Sequence, residues 1–156
     1  MDNNTQTTYY NSPIGVFTLR ASGDKLTHLL FGELDGNLPP VSSHLPVLTK
    51  CMEQLDEYFN GKRKVFDLPL DLRGTEFRRR VWAELERIPY GETRTYKDIA
   101  AAIGNVKAVR AVGGANHHNP VSIIVPCHRV VGADGGMTGY GGEIWRKEWL
   151  LEHEKK

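Results

Sequence analysis

The chain has 156 residues, 40% of them apolar and 25% charged, and its 20 basic and 19 acidic side chains leave a formal net charge of +1. This fits a soluble globular protein of one domain or two small ones. No apolar run reaches the roughly 18 to 20 residues of a membrane helix, and the opening MDNNTQTTYYNSP lacks the basic and apolar regions of a secretory signal, so a cytoplasmic protein with no membrane partner is expected. The two cysteines lie far apart and neither belongs to a CxxC pair, which excludes a disulfide framework and argues against structural zinc.

The net charge averages two unlike parts. Residues 1–72 carry six basic and nine acidic side chains, net −3, whereas residues 73–156 carry fourteen and ten, net +4. A domain boundary is expected between them, near Leu70-Asp71-Leu72-Arg73-Gly74, after the polar stretch Asn60 to Lys64 and a short apolar alternation at Val65, Phe66, Leu68 and Leu70.

In the first part, Thr8-Tyr9-Tyr10 and Gly15 to Ala21 are rich in β-branched and aromatic residues around the turn signal Asn11-Ser12-Pro13, and they predict a hairpin. Leu26 to Phe31 predicts a further strand. Leu45 to Phe59, with Leu48, Met52, Leu55 and Phe59 at helical spacing, predicts one helix. Cys51 falls within that helix and reads as an ordinary small hydrophobe.

In the second part, Phe77, Val81, Leu85 and Ile88 recur at helical spacing until Pro89-Tyr90-Gly91 stops the run. Thr95-Tyr96-Lys97-Asp98 has the form of a capping box opening a second helix, and Gly104-Asn105 ends it. A third helix, Lys107 to about Asn116, follows at once. Two short helices joined by a Gly turn have the form of a helix-turn-helix, and equally of a generic helical hairpin. The third helix sets one arginine, Arg110, among Ala, Val and Gly. So slim a surface suits the DNA minor groove, about 6 Å wide, or simply tight helix packing.

The segment Asn119 to Gly132 contains Pro126-Cys127-His128-Arg129 at the end of an apolar run. Pro126 fixes its own φ and removes a donor, so strand pairing should fail where Cys127 emerges. A thiol reacts as thiolate, and its ordinary pKa near 8.5 demands a base or a positive field close by. His128 is the obvious base. In extended chain, however, neighbouring side chains point to opposite faces, which leaves a bridging water between them an open alternative. A carboxylate orienting that histidine could be Glu148, Glu152 or Glu154 in the C-terminal helix, Glu143 to about Glu154.

Pro126-Cys127-His128-Arg129-Val130, preceded by Arg110-Ala111-Val112-Gly113-Gly114-Ala115 and Asn119-Pro120 and followed by Lys147-Glu148-Trp149-Leu150-Leu151 and His153-Glu154, closely resembles the O6-alkylguanine-DNA alkyltransferases. The similarity runs over about residues 73–154 with its motifs in order. The resemblance implies an α/β (α+β) chain, with a small ribonuclease H-like sheet-plus-helix domain over 1–72. A helical, winged-helix-like domain with the helix-turn-helix would span 73–156.

It also implies direct-reversal DNA repair. An O6-alkylguanine nucleotide is flipped from duplex DNA and its alkyl group passes irreversibly to Cys127, once per protein molecule, with O4-methylthymine a further candidate substrate. Carried over residue by residue, Glu154 orients His128, His128 works through water on Cys127, Tyr96 donates to the departing guanine, and Lys147 steadies the cysteine region. Arg110 fills the gap in the base stack, with Thr95, Ala111, Gly113, Ala115 and Asn116 as further DNA contacts. Tyr96, Val130, Tyr140 and Gly141 line the alkylguanine pocket, and Asn119 is the hinge. Gly141 departs from relatives with a serine there, so only a backbone contact carries over. Asn116-His117-His118 also differs from the bulkier or basic residues of some relatives. Adjacent His117 and His118 could be metal ligands or merely face solvent.

The expected partner is alkylated double-stranded DNA, the expected state a monomer, and no cofactor or metal is expected. Two rivals remain in view. A lesion sensor of the alkyltransferase-like class would lack the reactive cysteine, which Cys127 opposes. A transcription regulator would need more base-reading side chains than the third helix carries.

Overall fold

The computed structural model describes residues 5–32, 45–133 and 144–156, and its chain divides into two compact units, Met1–Leu72 and Arg73–Lys156. In the first unit, β1 (Thr5–Ser12), β2 (Gly15–Ser22) and β3 (Lys25–Phe31) form an antiparallel meander in the order β1-β2-β3. The first turn is closed by Ser12, whose Oγ donates to the Gly15 carbonyl at 2.7 Å and accepts from Ile14 N at 3.1 Å. Alternation along β2 sends Phe17, Leu19 and Ala21 into the core, each with 0% exposure, where helix α1 (Pro46–Phe59) covers them.

The stripe of α1 that reaches this core is Val47, Leu48, Cys51, Leu55 and Tyr58, turned slightly from the expected one, so that Met52 and Phe59 stay partly exposed. Full burial of each large member contributes about 1.5 to 3 kcal/mol. Cys51 is packing material. Burial pushes its thiol up to about 12, far from the thiolate a nucleophile needs. The apolar alternation after Asn60 makes only an isolated bridge, Leu26 to Leu70. Gln54 pins the chain before it through Nε2 to Asp67 O at 3.0 Å and Oε1 from Asp67 N at 2.9 Å.

The second unit begins with α2 (Glu76–Leu85), capped by Thr75, whose side chain accepts from Arg78 N at 3.1 Å. Its apolar stripe continues to Ile88, but the α-helix ends at Leu85, because Ile88 precedes a proline and the α conformation is disfavoured there. The chain tightens instead into three-residue turns, Arg87 N to Glu84 O and Ile88 N to Leu85 O. Next, β4 (Arg94–Thr95) leads directly into α3 (Tyr96–Ala102).

The capping box at the start of α3 is complete: Thr95 Oγ1 accepts from Asp98 N at 3.0 Å and Asp98 Oδ2 from Thr95 N at 2.9 Å. Gly104, at φ 80°, supplies the left-handed turn that ends the helix. Helix α4 (Val109–His117) starts two residues later than expected, since its N-cap Ala108 has no side-chain acceptor. Two bonds lock the helix pair onto α2: Trp82 Nε1 donates to Ala115 O at 2.8 Å and Arg80 Nη2 to Ile103 O at 2.5 Å.

After α4 the chain reaches a 3-10 turn at Cys127–Arg129, then β5 (Val130–Val131), then α5 (Ile144–Glu154). Strand β5 pairs parallel with β4, Arg94 with Val130 and Thr95 with Val131, and so sets the cysteine turn beside the start of α3. Thr95→Ala should lower stability by about 1 kcal/mol in urea unfolding while Thr95→Ser retains most of it; equal midpoints for Thr95→Ala and wild type would show that the box contributes nothing.

Candidate active site

The cysteine turn is delivered by a loop that the chain holds against its own preference. Asn119, at the end of α4, accepts from Val121 N at 3.0 Å through Oδ1 and donates from Nδ2 to Val125 O at 2.7 Å. It also hydrogen-bonds the Cys127 thiol. Inside that clasp Ile123 is buried with φ 70°, a left-handed conformation that a β-branched side chain rarely adopts and that costs on the order of 1 to 3 kcal/mol. The hydrogen bonds of Asn119 and the Val125 N to Val121 O bond at 3.1 Å hold it there.

Cys127 is therefore not in extended chain, as the adjacency argument assumed. The 3-10 turn lets Cys127, His128 and Arg129 all point inward, each at most 7% exposed. Burial pushes the Cys127 thiol up, opposed by the Asn119 hydrogen bond, the Lys147 charge and the backbone N–H groups of Cys127 and His128. At rest the group is a thiol, in a setting arranged to receive a thiolate.

The choice among Glu148, Glu152 and Glu154 is decided by burial. Glu148 and Glu152 are exposed, while Glu154 is 4% exposed and its Oε2 lies 2.7 Å from His128 Nε2. Arg129 grips the same carboxylate, with Nε to Oε1 at 2.8 Å and Nη2 to Oε2 at 3.0 Å, and its Nη1 donates to Ile88 O at 2.7 Å. Burial alone would raise the Glu154 carboxyl, but the hydrogen bonds and charges of His128 and Arg129 hold it well below the usual carboxylate range.

Burial pushes His128 down, Glu154 pulls it up, and Arg129 and Lys147 add to the lowering, so the ring rests neutral. With an ionised carboxylate on Nε2, the proton sits on Nε2 and Nδ1 is a bare acceptor. That Nδ1 is buried with no hydrogen-bond partner among the described residues, a condition that calls for a functional reason.

Lys147 and Glu154, seven residues apart on α5, are both buried on the face that also carries Leu150. Lys147 Nζ donates to Val130 O at 2.5 Å and lies 5.9 Å from the centre of the Tyr96 ring. Burial pushes its ammonium down to about 8, and a Cys127 thiolate would raise it. The Tyr96 hydroxyl is raised by burial and by Cys127, and lowered by a hydrogen bond with Asn116; it remains a donor at neutral pH. Val130 lines the same turn with 0% exposure. Tyr140 and Gly141 lie outside the described residues.

The expected DNA face divides. Arg110 and Ala111 are exposed and Gly113 partly so, and a Cβ built on Gly113 or Gly114 would meet nothing within 4 Å. Internal packing therefore does not require glycine at either position. Ala115 and Asn116 are instead buried. The α4 face that carries them turns inward, Asn116 Nδ2 reaching Cys127 O at 3.4 Å, so their side chains pack toward the site. Thr95 spends its hydroxyl on the α3 cap.

Sequence reasoning missed Arg129, although a lone arginine inside an apolar run beside a histidine signals a buried carboxylate partner. It also passed over Val106 and Val109, which remain exposed beside Arg110. His117 and His118 are both exposed, and His118 Nδ1 pairs with Gly114 O at 2.8 Å. Among the described residues no group of three His, Cys, Asp or Glu side chains could hold a metal ion.

Two family models match the chain. The 6-O-methylguanine DNA methyltransferase ribonuclease-like domain covers residues 6–72 and the DNA binding domain of the same family covers 76–156. A Mycobacterium tuberculosis methylated-DNA–protein-cysteine methyltransferase is 52% identical over 149 residues, 93% of this chain and 89% of its own. The constitutive enzyme of the same description from Bacillus subtilis is 46% identical over 157 residues, 94% and 95% of the two chains. Among solved structures, Mycobacterium tuberculosis OGT in complex with DNA superposes with a TM-score of 0.88 at 50% identity, covering 96% of this chain and 92% of that one.

Glu154→Gln leaves the Arg129 cation uncompensated in the interior and should cost about 3 to 5 kcal/mol at pH 7. Since the folded carboxyl lies below its unfolded value, the stability that it contributes is present above the unfolded value of about 4.3 and fades as pH falls through the folded one. Urea unfolding at successively lower pH should therefore show the gap between wild type and Glu154→Gln closing in acid; a constant gap would contradict the assigned ionisation.

Proposed function

The chain belongs to the 6-O-methylguanine DNA methyltransferase family, and from that premise we propose that Cys127 accepts the alkyl group of an O6-alkylated guanine in duplex DNA. The protein is a DNA-binding repair transferase that moves an alkyl group onto a cysteine. It works as a monomer, once per molecule, without a cofactor. The observation that carries the assignment is the buried Cys127 beside a neutral His128 whose Nε2 is held by Glu154 and whose Nδ1 is bare.

The step follows from those states. The Cys127 proton passes through water to His128 Nδ1, and the resulting imidazolium keeps its Nε2–H on Glu154. Lys147, Asn119 and the turn's N–H groups stabilise the thiolate as it forms. Sulfur then attacks the alkyl carbon in line; the S–C bond forms, the C–O6 bond breaks, and the electron pair stays on the guanine. The ring takes a proton from the Tyr96 hydroxyl, which the imidazolium proton restores through solvent. The product is a thioether, which no group in the site reverses.

To reach Cys127 the guanine must leave the base stack, at an unstacking cost of a few kcal/mol that an intercalated side chain offsets. Arg110, long and exposed on an otherwise slim helix, suits that place. The bare Cβ positions of Gly113 and Gly114 let the helix backbone approach the minor groove.

Intact-protein mass after incubation with O6-methylguanine DNA should rise by one methyl in place of a proton, with the increment on the Cys127 peptide; no increment, or one that persists in Cys127→Ala, would sink the assignment. The DNA face has its own test, because a helix-interior glycine replaced by alanine normally gains about 0.5 to 1 kcal/mol. Gly113→Ala should be as stable as wild type or more so, yet repair duplex lesions more slowly, and Arg110→Ala should do the same while sparing reaction with free O6-benzylguanine. Equal losses on both substrates would remove these residues from the DNA face.

A further inference from the structure

We propose that Arg129 is a positioning residue for alkyl transfer: by taking up the charge of Glu154 it keeps His128 an uncharged imidazole, with Nδ1 open to the Cys127 proton. The inference rests on the assignment of Cys127 and His128 above and adds what sets the resting state of the base.

The balance of charges in this closed space sets the protonation of His128. The groups facing His128 are Glu154 and Lys147 from α5, and Arg129 and Cys127 from its own turn. The turn after α2 meets Arg129 through the Ile88 carbonyl and the Tyr90 ring, and Tyr96 from α3 stands by Cys127. A buried carboxylate with a single basic neighbour draws a proton onto it, since an ion pair inside a low-dielectric site is favoured over an isolated negative charge. If Glu154 had only His128, the pair would rest as carboxylate and imidazolium. Both ring nitrogens would then carry hydrogen, and no acceptor would remain for the thiol proton.

Arg129 changes the count. Its two hydrogen bonds to Glu154 neutralise the carboxylate, so that a proton on His128 would be an additional, uncompensated cation beside Lys147. Both Arg129 and Lys147 push His128 toward the neutral form. The geometry is specific to a guanidinium. Nε and Nη2 span both carboxylate oxygens while Nη1 is fixed on Ile88 O at 2.7 Å, and the Tyr90 ring centre lies 5.7 Å from the guanidinium carbon. Because His128 and Arg129 are consecutive in one 3-10 turn, the same backbone aims base and counter-ion at one carboxylate.

The test is the pH dependence of single-turnover transfer, on O6-methylguanine duplex and on free O6-benzylguanine, in wild type, Arg129→Gln and Arg129→Lys. In Arg129→Gln the acid limb should move up by about one pH unit or more, with losses of about tenfold below pH 7 that shrink at alkaline pH. Arg129→Lys, which keeps the charge, should return the limb toward the wild-type position even where the rate is lower. A rate reduced by the same factor at every pH would assign Arg129 a purely structural role and overturn the proposal.

Should Arg129→Gln fail to fold, imidazole nitrogen NMR of the intact wild type decides: a neutral His128 with its proton on Nε2 near neutral pH is expected, and an imidazolium there overturns the proposal. Alkylation that survives Cys127→Ala would instead defeat the underlying assignment, so the two failures are distinguishable.

Discussion

The site is organised around one buried carboxylate. Glu154 closes α5, receives Arg129 through two hydrogen bonds and His128 through a third, and is held ionised against its burial by these partners. A carboxylate in such surroundings is costly unless it is paired and hydrogen-bonded with good geometry, so its partners must be held in place. That requirement draws α5, the cysteine turn and the segment after α2 to one point. Replacing the cluster with apolar side chains could give an equally stable interior; it would leave the thiol without a base.

A second constraint joins this chemistry to the proposed DNA face. Asn119 leaves α4 and clasps the loop that carries the left-handed Ile123, and Asn116, one turn earlier, reaches the Cys127 carbonyl and the Tyr96 hydroxyl. One side of α4 is therefore spent on the site, while the other, Arg110, Ala111 and Gly113, is left slim and open. A helix with one side spent on a buried network and, in the proposed function, the other laid against a narrow groove has room for few bulky residues, in keeping with its run of Ala, Val and Gly.

Legibility in the sequence followed the range of the interaction. The capping box at Thr95 and Asp98, the stop at Gly104 and the hairpin around Asn11-Ser12-Pro13 are made within a few residues, and local chemistry suffices to read them. Boundaries set by competition were less legible: α2 gives up its last turn to the proline after Ile88, and α4 starts late because Ala108 cannot cap it. For Arg129 the apolar run and the neighbouring histidine signal burial against a carboxylate, but the partner lies 25 residues away and nothing local says which one it is.

The sequence by itself determined the family and the kind of chemistry, since the Pro-Cys-His-Arg string, the slim helix and the closing Lys-Glu-Trp-Leu-Leu segment keep their order and spacing along the chain. Only the tertiary structure decided which carboxylate serves His128, that the cysteine turn is 3-10 and not extended, and that Ala115 and Asn116 face inward. The division has a physical cause. Residue types and spacings are properties of the chain, whereas burial, and with it the cost of every charge and the state of every proton in the site, exists only once distant segments have closed around it.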